Sequence, residues 1–278
     1  MHWLFLLLVT YAAWCAGLYY YQDRLMFPLD WLAPVMMSVP AGTEPIVIEP
    51  EENGQPVRVE ACFIRDAAAT ASRPAPLVVF FHANAETVDN CLQLAARWRR
   101  RGFAVLLVEY RGYGRSYGTP SEKHVVADAI EFIRLVASRP DVDEGRIVLH
   151  GRSLGAGVAS QVAARLADGS VGLPPAAAVI VESTFTSVPR LAARFLAPPF
   201  LIRNTFRNDR ALKKAGAPVL ILHGADDEII PVSHGRRLHR LLPGSTYAEM
   251  AGSHNDFPID EAAYWAAIDQ FIGRVVKP

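Results

Sequence analysis

The chain has 278 residues, enough for one large α/β domain or two small ones. Hydrophobic residues make up 51% of it and charged residues 20%, which supports a sizeable packed core and excludes global disorder. The 28 basic residues balance the 28 acidic ones, so the overall charge gives no reason to expect a nucleic acid as partner. The one basic cluster, at residues 97–101, is typical of the carboxyl end of a helix, and we predict no nucleic-acid binding.

An uncharged, leucine-rich and aromatic segment of 18 residues, Trp3–Tyr20, lies near the start of the chain. Its length suits a helix that crosses a bilayer core. The tyrosines at 19–21 are typical of an aromatic interface belt, and residues 22–24 of a polar stop. We predict that residues 1–24 are a single-pass membrane anchor in contact with lipid, of undetermined orientation. A cleaved signal peptide is the alternative, which the lack of Lys or Arg before the apolar run disfavours.

The cysteines and histidines do not have the spacing of a metal site. Cys15, Cys62 and Cys91 lack the paired spacing of a zinc site or a redox dithiol, so we expect free thiols, with a Cys62–Cys91 bridge as the alternative. Three histidines end predicted strands and are interpreted as hydrogen-bonded side chains: His82, His150 and His223. Three others are expected to face solvent: His124, His234 and His239. We predict neither a metal nor an organic cofactor.

Two strand-like runs, 46–48 and 57–63, precede residue 75. The second alternates with period two, which predicts an antiparallel strand with one solvent-exposed face. Asn53-Gly54 between them predicts a hairpin with a loop longer than the tightest type.

From Pro76 onward, short and nearly continuous apolar runs indicate strands buried on both faces. These runs are 77–81, 103–108, 147–149, 178–181 and 219–222. Segments with helical apolar spacing separate most of them, and another, at 265–275, closes the chain. Residues 119–122 (TPSE) predict a helix start, with a capping box and proline at the first helical position. The alternation predicts an α/β domain with a mainly parallel sheet, antiparallel N-terminal strands and helices on both faces.

Residues 190–214 interrupt this rhythm with Pro198-Pro199 and a short helical stretch. We interpret them as a small lid over the carboxyl edge of the sheet, where parallel sheets bind ligands. An ordinary crossover helix with a long loop is the alternative. The segment is too short for a separate domain, so we predict one domain over residues 25–278.

The pentapeptide GRSLG at 151–155 follows a predicted strand and precedes a helix of small residues. Strand, sharp turn and helix is the context in which G-x-S-x-G presents a nucleophilic serine, here Ser153. The turn strains the serine backbone, and the two glycines let the neighbouring chain pass without a Cβ clash. The hydroxyl then lies at the positive end of a helix, where the backbone N–H of Leu154 can bind an oxyanion.

A nucleophilic serine needs a histidine base with a carboxylate behind it. After a predicted strand the chain has HGADDEIIP at 223–231, which holds two candidate acids, Asp226 and Asp227. It then has GSHND at 252–256, between a strand-like run at 245–250 and the last helix. We therefore predict His254 as the base.

These three motifs resemble those of the α/β-hydrolase superfamily, in particular its serine-aminopeptidase-like and membrane-anchored abhydrolase-domain branch, which includes protein depalmitoylases. Residues 22–28 (QDRLMFP) and 110–116 (YRGYGRS) are similar to the same branch, so the resemblance spans nearly the whole chain. It implies the α/β-hydrolase fold. It also implies Asp227 as the acid, with Asp226 second and Glu182, at a strand end, third.

The resemblance also implies an oxyanion hole. The family's first donor lies in an HGNA motif after a strand that corresponds here to the one ending at Phe81. This chain has HANA at 82–85, so an alanine replaces the glycine. The implied donors are the backbone N–H groups of Asn84 and Leu154.

Together these features predict a serine hydrolase that cleaves carboxylic ester or thioester bonds through an acyl-enzyme. Its catalytic residues are predicted to be Ser153, Asp227 and His254. The lid and anchor indicate lipid-like small molecules or acylated proteins as substrates. One alternative is a serine aminopeptidase or amidase, although no acidic pocket for a free amine is identifiable. The other is a non-catalytic membrane-bound scaffold that retains the hydrolase fold.

Overall fold

The structure is a computed structural model that describes residues 2–32 and 42–276. Its described residues include ten strands: β1 (Glu44–Ile48), β2 (Glu51–Glu52), β3 (Gln55–Pro56), β4 (Val59–Ile64), β5 (Ala75–Phe81), β6 (Ala104–Val108), β7 (Val142–Arg152), β8 (Ala178–Glu182), β9 (Val219–Gly224) and β10 (Thr246–Met250). Eight of them form one sheet in the order β1-β4-β6-β5-β7-β8-β9-β10. The pairs β1–β4 and β4–β6 are antiparallel, and every later pair is parallel.

The described residues also form eight α-helices: α1 (His2–Met26), α2 (Leu92–Arg99), α3 (Glu122–Ala137), α4 (Leu154–Ala167), α5 (Val188–Ala192), α6 (Asn208–Ala215), α7 (Ser233–Leu241) and α8 (Glu261–Val275). Side chains of β5 alternate between two apolar clusters. Val79 belongs to the cluster that contains residues of α3 and α4, and Val78 to the one that contains residues of α2 and α8. The sheet is therefore covered on both faces, which confirms the predicted α/β-hydrolase architecture.

The prediction that one face of the second N-terminal strand is exposed is wrong. All six residues of β4 are buried. Its polar residue Glu60 is covered by the loop after β6, where Arg115 donates from Nε to the Glu60 carboxylate at 2.6 Å. Glu60 also forms an ion pair with Arg58. A period-two pattern reports where polar side chains point, but not whether another segment covers them.

Two local predictions need correction. The Asn53-Gly54 turn is of the tightest kind, because Glu52 pairs with Gln55 in a separate two-stranded ribbon, β2–β3. Helix α3 begins at Glu122 and not at Pro120. Its N-cap is Ser121, whose side chain accepts from the backbone N–H of His124 at 3.2 Å.

The segment predicted as a lid lies between β8 and β9. It consists of α5, two 3₁₀ turns (Ala193–Phe195 and Pro199–Leu201) and α6. Helix α6 has buried residues that join the main core, as a crossover helix does. We refer below to residues 188–202 as the lid segment. All three cysteines, Cys15, Cys62 and Cys91, are free, as expected.

His234, expected in solvent, is buried at the start of α7. Its Nδ1 accepts a hydrogen bond from the backbone N–H of Thr186 at 3.0 Å. Burial, together with the charge of Arg190, lowers the pKa of His234 to about 4.

Stability should therefore depend on His234 below neutral pH. A histidine whose pKa is lower in the folded state contributes stability above its unfolded pKa, and that contribution is lost as pH falls through the folded pKa. Between about pH 6.5 and pH 4, the wild type should lose up to about 3 kcal/mol more of its free energy of unfolding than His234→Asn. Urea unfolding of both proteins in detergent across this range measures the difference. Parallel curves would contradict the prediction.

A second prediction concerns the contact between α4 and β5. A Cβ added to Gly155 would lie 2.0 Å from the carbonyl oxygen of Phe81, a backbone atom that cannot move aside cheaply. Gly155→Ala should therefore reduce the free energy of unfolding by roughly 1–3 kcal/mol or more. The matched control is Gly273→Ala in α8, where a Cβ meets nothing within 4 Å. That variant should be about 0.5–1 kcal/mol more stable, because alanine favours helix. Equal effects of the two substitutions in thermal unfolding would refute the steric argument.

Candidate active site

Ser153 occupies the turn between β7 and α4 with φ +53° and ψ −115°, a conformation that non-glycine residues rarely adopt. Two hydrogen bonds hold this turn. The Ser153 N–H donates to the carbonyl oxygen of Glu182 at 2.9 Å, and Thr184 donates from its hydroxyl to the Ser153 carbonyl at 3.0 Å. The strain expected from the motif is therefore present and is balanced by contacts from the end of β8.

His254 lies in the loop between β10 and α8 and connects Ser153 to Asp227. Its Nε2 is 3.0 Å from the Ser153 hydroxyl, and its Nδ1 is 2.8 Å from the Asp227 carboxylate. An ionised carboxylate only accepts, so Nδ1 carries the proton and Nε2 is free to accept the serine hydroxyl hydrogen. The structure thus brings together three side chains that span about a hundred positions of the sequence.

Asp227 is the candidate acid that contacts His254. Burial alone raises its pKa, but hydrogen bonds from His223, His254 and the backbone N–H of Ile230 outweigh burial and hold the pKa well below its usual range. The Ile230 N–H donates to the Asp227 carboxylate at 2.7 Å. The neighbouring Asp226 is exposed. The carboxylate of Asp227 is therefore ionised at neutral pH.

Glu182, the third candidate acid, belongs to a different network. Its carboxylate is fully buried and accepts hydrogen bonds from the His150 ring and the Tyr264 hydroxyl. Burial raises the pKa of Glu182. The charge and hydrogen bond of His150 and the charge of Arg152 outweigh burial and lower the pKa to about 2. The Glu182 backbone carbonyl also accepts from the Ser153 N–H, so this network helps to fix the turn that carries the nucleophile. The sequence signal for it was a glutamate that ends an apolar strand.

The HANA loop follows β5 and is fixed by buried polar groups. Both ring nitrogens of His82 contact oxygen acceptors, Glu109 at 2.6 Å and the Ala83 carbonyl at 2.8 Å. Burial lowers the pKa of His82, but the charge of Glu109 outweighs it and raises the pKa overall. Tyr113 donates from its hydroxyl to the Asn84 carbonyl at 2.9 Å. The alanine that replaces the family's glycine is not strained, since Ala83 is not among the described residues with positive φ.

The close packing of Gly155 against Phe81 sets this loop beside the nucleophile. Asn84 and Leu154 line the same cavity as Ser153 and His254. Their backbone N–H groups as an oxyanion hole stay a prediction.

The cavity above Ser153 has a volume of about 550 Å³ and is lined mainly by apolar side chains. One wall comes from the lid segment, with Val188, Leu191 and Phe195. A second wall comes from α1, with Leu18, Leu25 and Met26 among its lining residues. No sequence pattern indicates this second wall, because helical periodicity does not reveal which distant segment a helix contacts.

A family model described as serine aminopeptidase, S33, matches residues 72–204. An uncharacterized membrane protein of Saccharomyces cerevisiae is 30% identical over 92% of this chain and 90% of its own length. An uncharacterized protein of Mycobacterium tuberculosis is 32% identical over 78% of this chain and 74% of its own length. The rat lysophosphatidylserine lipase ABHD12 is 31% identical over 61% of this chain and 46% of its own.

Solved structures agree with these relatives at the level of the fold. An α/β hydrolase from Vibrio vulnificus superimposes with a TM-score of 0.70 at 17% identity, and covers 90% of this chain and 92% of its own. A Pyrococcus furiosus esterase has a TM-score of 0.67 at 14% identity, with 88% and 97% covered. The sheet order, the strand–turn–helix at Ser153, the serine aminopeptidase family model and the ABHD12 relative lead to one conclusion: the chain belongs to the α/β-hydrolase superfamily.

Proposed function

We propose that this protein is a membrane-anchored serine hydrolase that cleaves carboxylic ester or thioester bonds of substrates with an apolar acyl group. The observation that carries the proposal is the hydrogen-bonded chain Ser153–His254–Asp227, with distances of 3.0 Å and 2.8 Å, which opens into an apolar cavity. A nucleophile, a base and a group that orients the base are the set that a Ser-His-Asp triad uses for acyl transfer.

In the first half of the proposed reaction, the Ser153 hydroxyl oxygen attacks the substrate carbonyl carbon while His254 Nε2 takes its proton. Asp227 keeps the imidazole in the required tautomer and stabilises its positive charge. The carbonyl oxygen becomes an oxyanion beside the N-terminus of α4, where the N–H groups of Leu154 and Asn84 are the proposed donors. The bond to the leaving alcohol or thiol then breaks, and His254 returns the proton to that leaving group.

In the second half, water attacks the Ser153 acyl ester, and His254 takes a proton from the water. The bond between the acyl carbon and the Ser153 oxygen then breaks, His254 returns its proton to that oxygen, and the carboxylic acid leaves.

The cavity supports an acyl group over an amino-terminal peptide as its occupant. None of the described residues that line it is an aspartate or glutamate. The charged α-amine of a peptide would enter without a partner, and desolvation of an unpaired charge is expensive. A hydrocarbon chain instead gains about 0.8 kcal/mol for each buried methylene group. The lipase name of the rat relative is in keeping with this choice.

The membrane location is part of the same proposal. Among the described residues, α1 is the one helix long and apolar enough to cross a membrane, and its first turns are exposed. The yeast relative, which matches over nearly the whole chain, is described as a membrane protein. We propose that α1 is retained as the anchor.

The role of Ser153 can be tested directly. Ser153→Ala should lower kcat/KM for a short-chain nitrophenyl ester by at least about a thousandfold. An alkyl fluorophosphonate should label the wild type and not the variant. Ser138→Ala, on the surface at the end of α3, is the matched control and should behave as wild type. Activity retained in Ser153→Ala would refute the mechanism, and an unlabelled, inactive wild type would favour the non-catalytic scaffold.

The identity of the acid can be tested with three carboxylates. Asp227→Asn should reduce kcat by about ten-thousandfold without loss of the fold, because an amide favours the wrong imidazole tautomer. Asp226→Asn should leave kcat unchanged, since that side chain is exposed. Glu182→Gln should lower the midpoint of thermal unfolding, because it disturbs the buried contacts with His150 and Tyr264. A larger loss of kcat in Asp226→Asn than in Asp227→Asn would reverse the assignment.

A further inference from the structure

Helix α1 lies against the lid segment along one of its faces. Tyr11, Trp14, Leu18 and Gln22 follow one another at spacings of three and four residues, so they share this face. The Tyr11 hydroxyl donates to the Leu196 carbonyl at 3.0 Å, and the Trp14 indole N–H donates to the Phe195 carbonyl at 2.9 Å. The contacts are to backbone carbonyls of the lid segment, so they fix its position as well as that of the helix.

A second set of contacts holds the carboxyl-terminal turns of α1. Gln22 donates to the Leu201 carbonyl at 3.0 Å and accepts from the Arg203 N–H at 2.8 Å. Asp23 accepts from the Asn204 side chain at 2.9 Å and forms an ion pair with Arg203 at 2.8 Å. Exposed ion pairs alone contribute little to stability. The two contacts of the Gln22 side-chain amide, however, fix the position of α1 along the surface of the domain.

These contacts place side chains of α1 in the candidate active site. Leu18, Leu25 and Met26 line the cavity that contains Ser153 and His254. Leu191 and Phe195 of the lid segment line it too, so the cavity lies between helix and lid. Without α1 the cavity would lack one of its apolar walls.

The outer surface beside this cavity is apolar as well. Phe195, Leu196 and Phe200 of the lid segment are 55%, 71% and 85% exposed. Exposed apolar clusters next to an anchor helix are typical of contact with lipid. An acyl chain that leaves the bilayer would thus meet the cavity at the junction of helix and lid.

We propose that α1 is a specificity element of the active site as well as an anchor: its Leu18 side chain contacts the substrate's acyl chain and helps to set the accepted chain length. The inference rests on the proposed ester or thioester hydrolysis. It assigns the substrate class, a linear fatty acyl chain, to the space between α1 and the lid segment.

The test uses full-length protein in detergent and nitrophenyl esters from short to long acyl chains. Leu18→Trp fills part of the cavity, so it should lower kcat/KM for long chains at least about tenfold relative to the short ester and move the optimum to shorter chains. Leu18→Ala enlarges the cavity and should move the optimum to longer chains. Leu8→Trp, on the same helix but outside the cavity and 59% exposed, is the matched control and should keep the wild-type profile.

Opposite shifts for the two Leu18 variants support the inference, because a general disturbance of the anchor would not move the optimum in both directions. The labelling rate of Ser153 by short and long alkyl fluorophosphonates provides a second reading that does not need turnover. Unchanged chain-length profiles in both variants, with short-ester hydrolysis intact, would overturn this inference alone. A wild type that neither hydrolyses esters nor reacts with the phosphonates would overturn the proposed function and this inference with it.

Discussion

The strained backbone of Ser153 is the constraint on which the site depends. A positive φ at a serine persists only where surrounding contacts make up for its cost of about 1–3 kcal/mol. Here the compensation comes from the carbonyl of Glu182 and the hydroxyl of Thr184, both at the end of β8. Helix α4 must also approach β5 closely, which only a residue without a Cβ allows at Gly155. The nucleophile is thus positioned by three neighbouring strands and not by its own loop.

Buried charge networks near the site link the ends of neighbouring strands. The Glu182 carboxylate contacts His150 and Tyr264, and the His82 ring is paired with Glu109. Removal of one partner from such a pair leaves an uncompensated buried charge, which is strongly destabilising. Both networks lie at the ends of parallel strands, next to the segments that carry Ser153 and Asn84. They serve to fix the site, whereas the proposed chemistry uses the separate Ser153–His254–Asp227 chain.

The same geometry links the proposed chemistry to the proposed location. Helix α1 is apolar enough to enter a membrane, yet part of its surface closes the cavity above Ser153. An anchor on a flexible tether would only raise the local concentration of substrate. An anchor whose side chains line the cavity would also affect which acyl chains fit, because shape and volume decide how much hydrocarbon surface is buried.

Much of the fold and of the candidate site could be predicted from the sequence, because its signals are local. The five continuous apolar runs correspond to β5–β9, and the motif around Ser153 has the expected strand, turn and helix. Patterns of this kind depend on short-range geometry, such as strand period and the need for glycine at close approaches. The covered polar face of β4 and the burial of His234 could not be predicted, because distant segments decide them.

The sequence by itself determined the α/β class, the candidate nucleophile and base, and the apolar first helix. The resemblance ranked Asp227 first of three candidate acids, but only the tertiary structure decided that its carboxylate, and not that of Asp226 or Glu182, contacts His254. It alone decided that α1 forms a wall of the cavity. The same physical reason applies to both. Candidate carboxylates have the same chemistry in the sequence, and the apolar face of a helix has the same pattern whichever segment it contacts. The distances that distinguish them arise only when remote parts of the chain pack together.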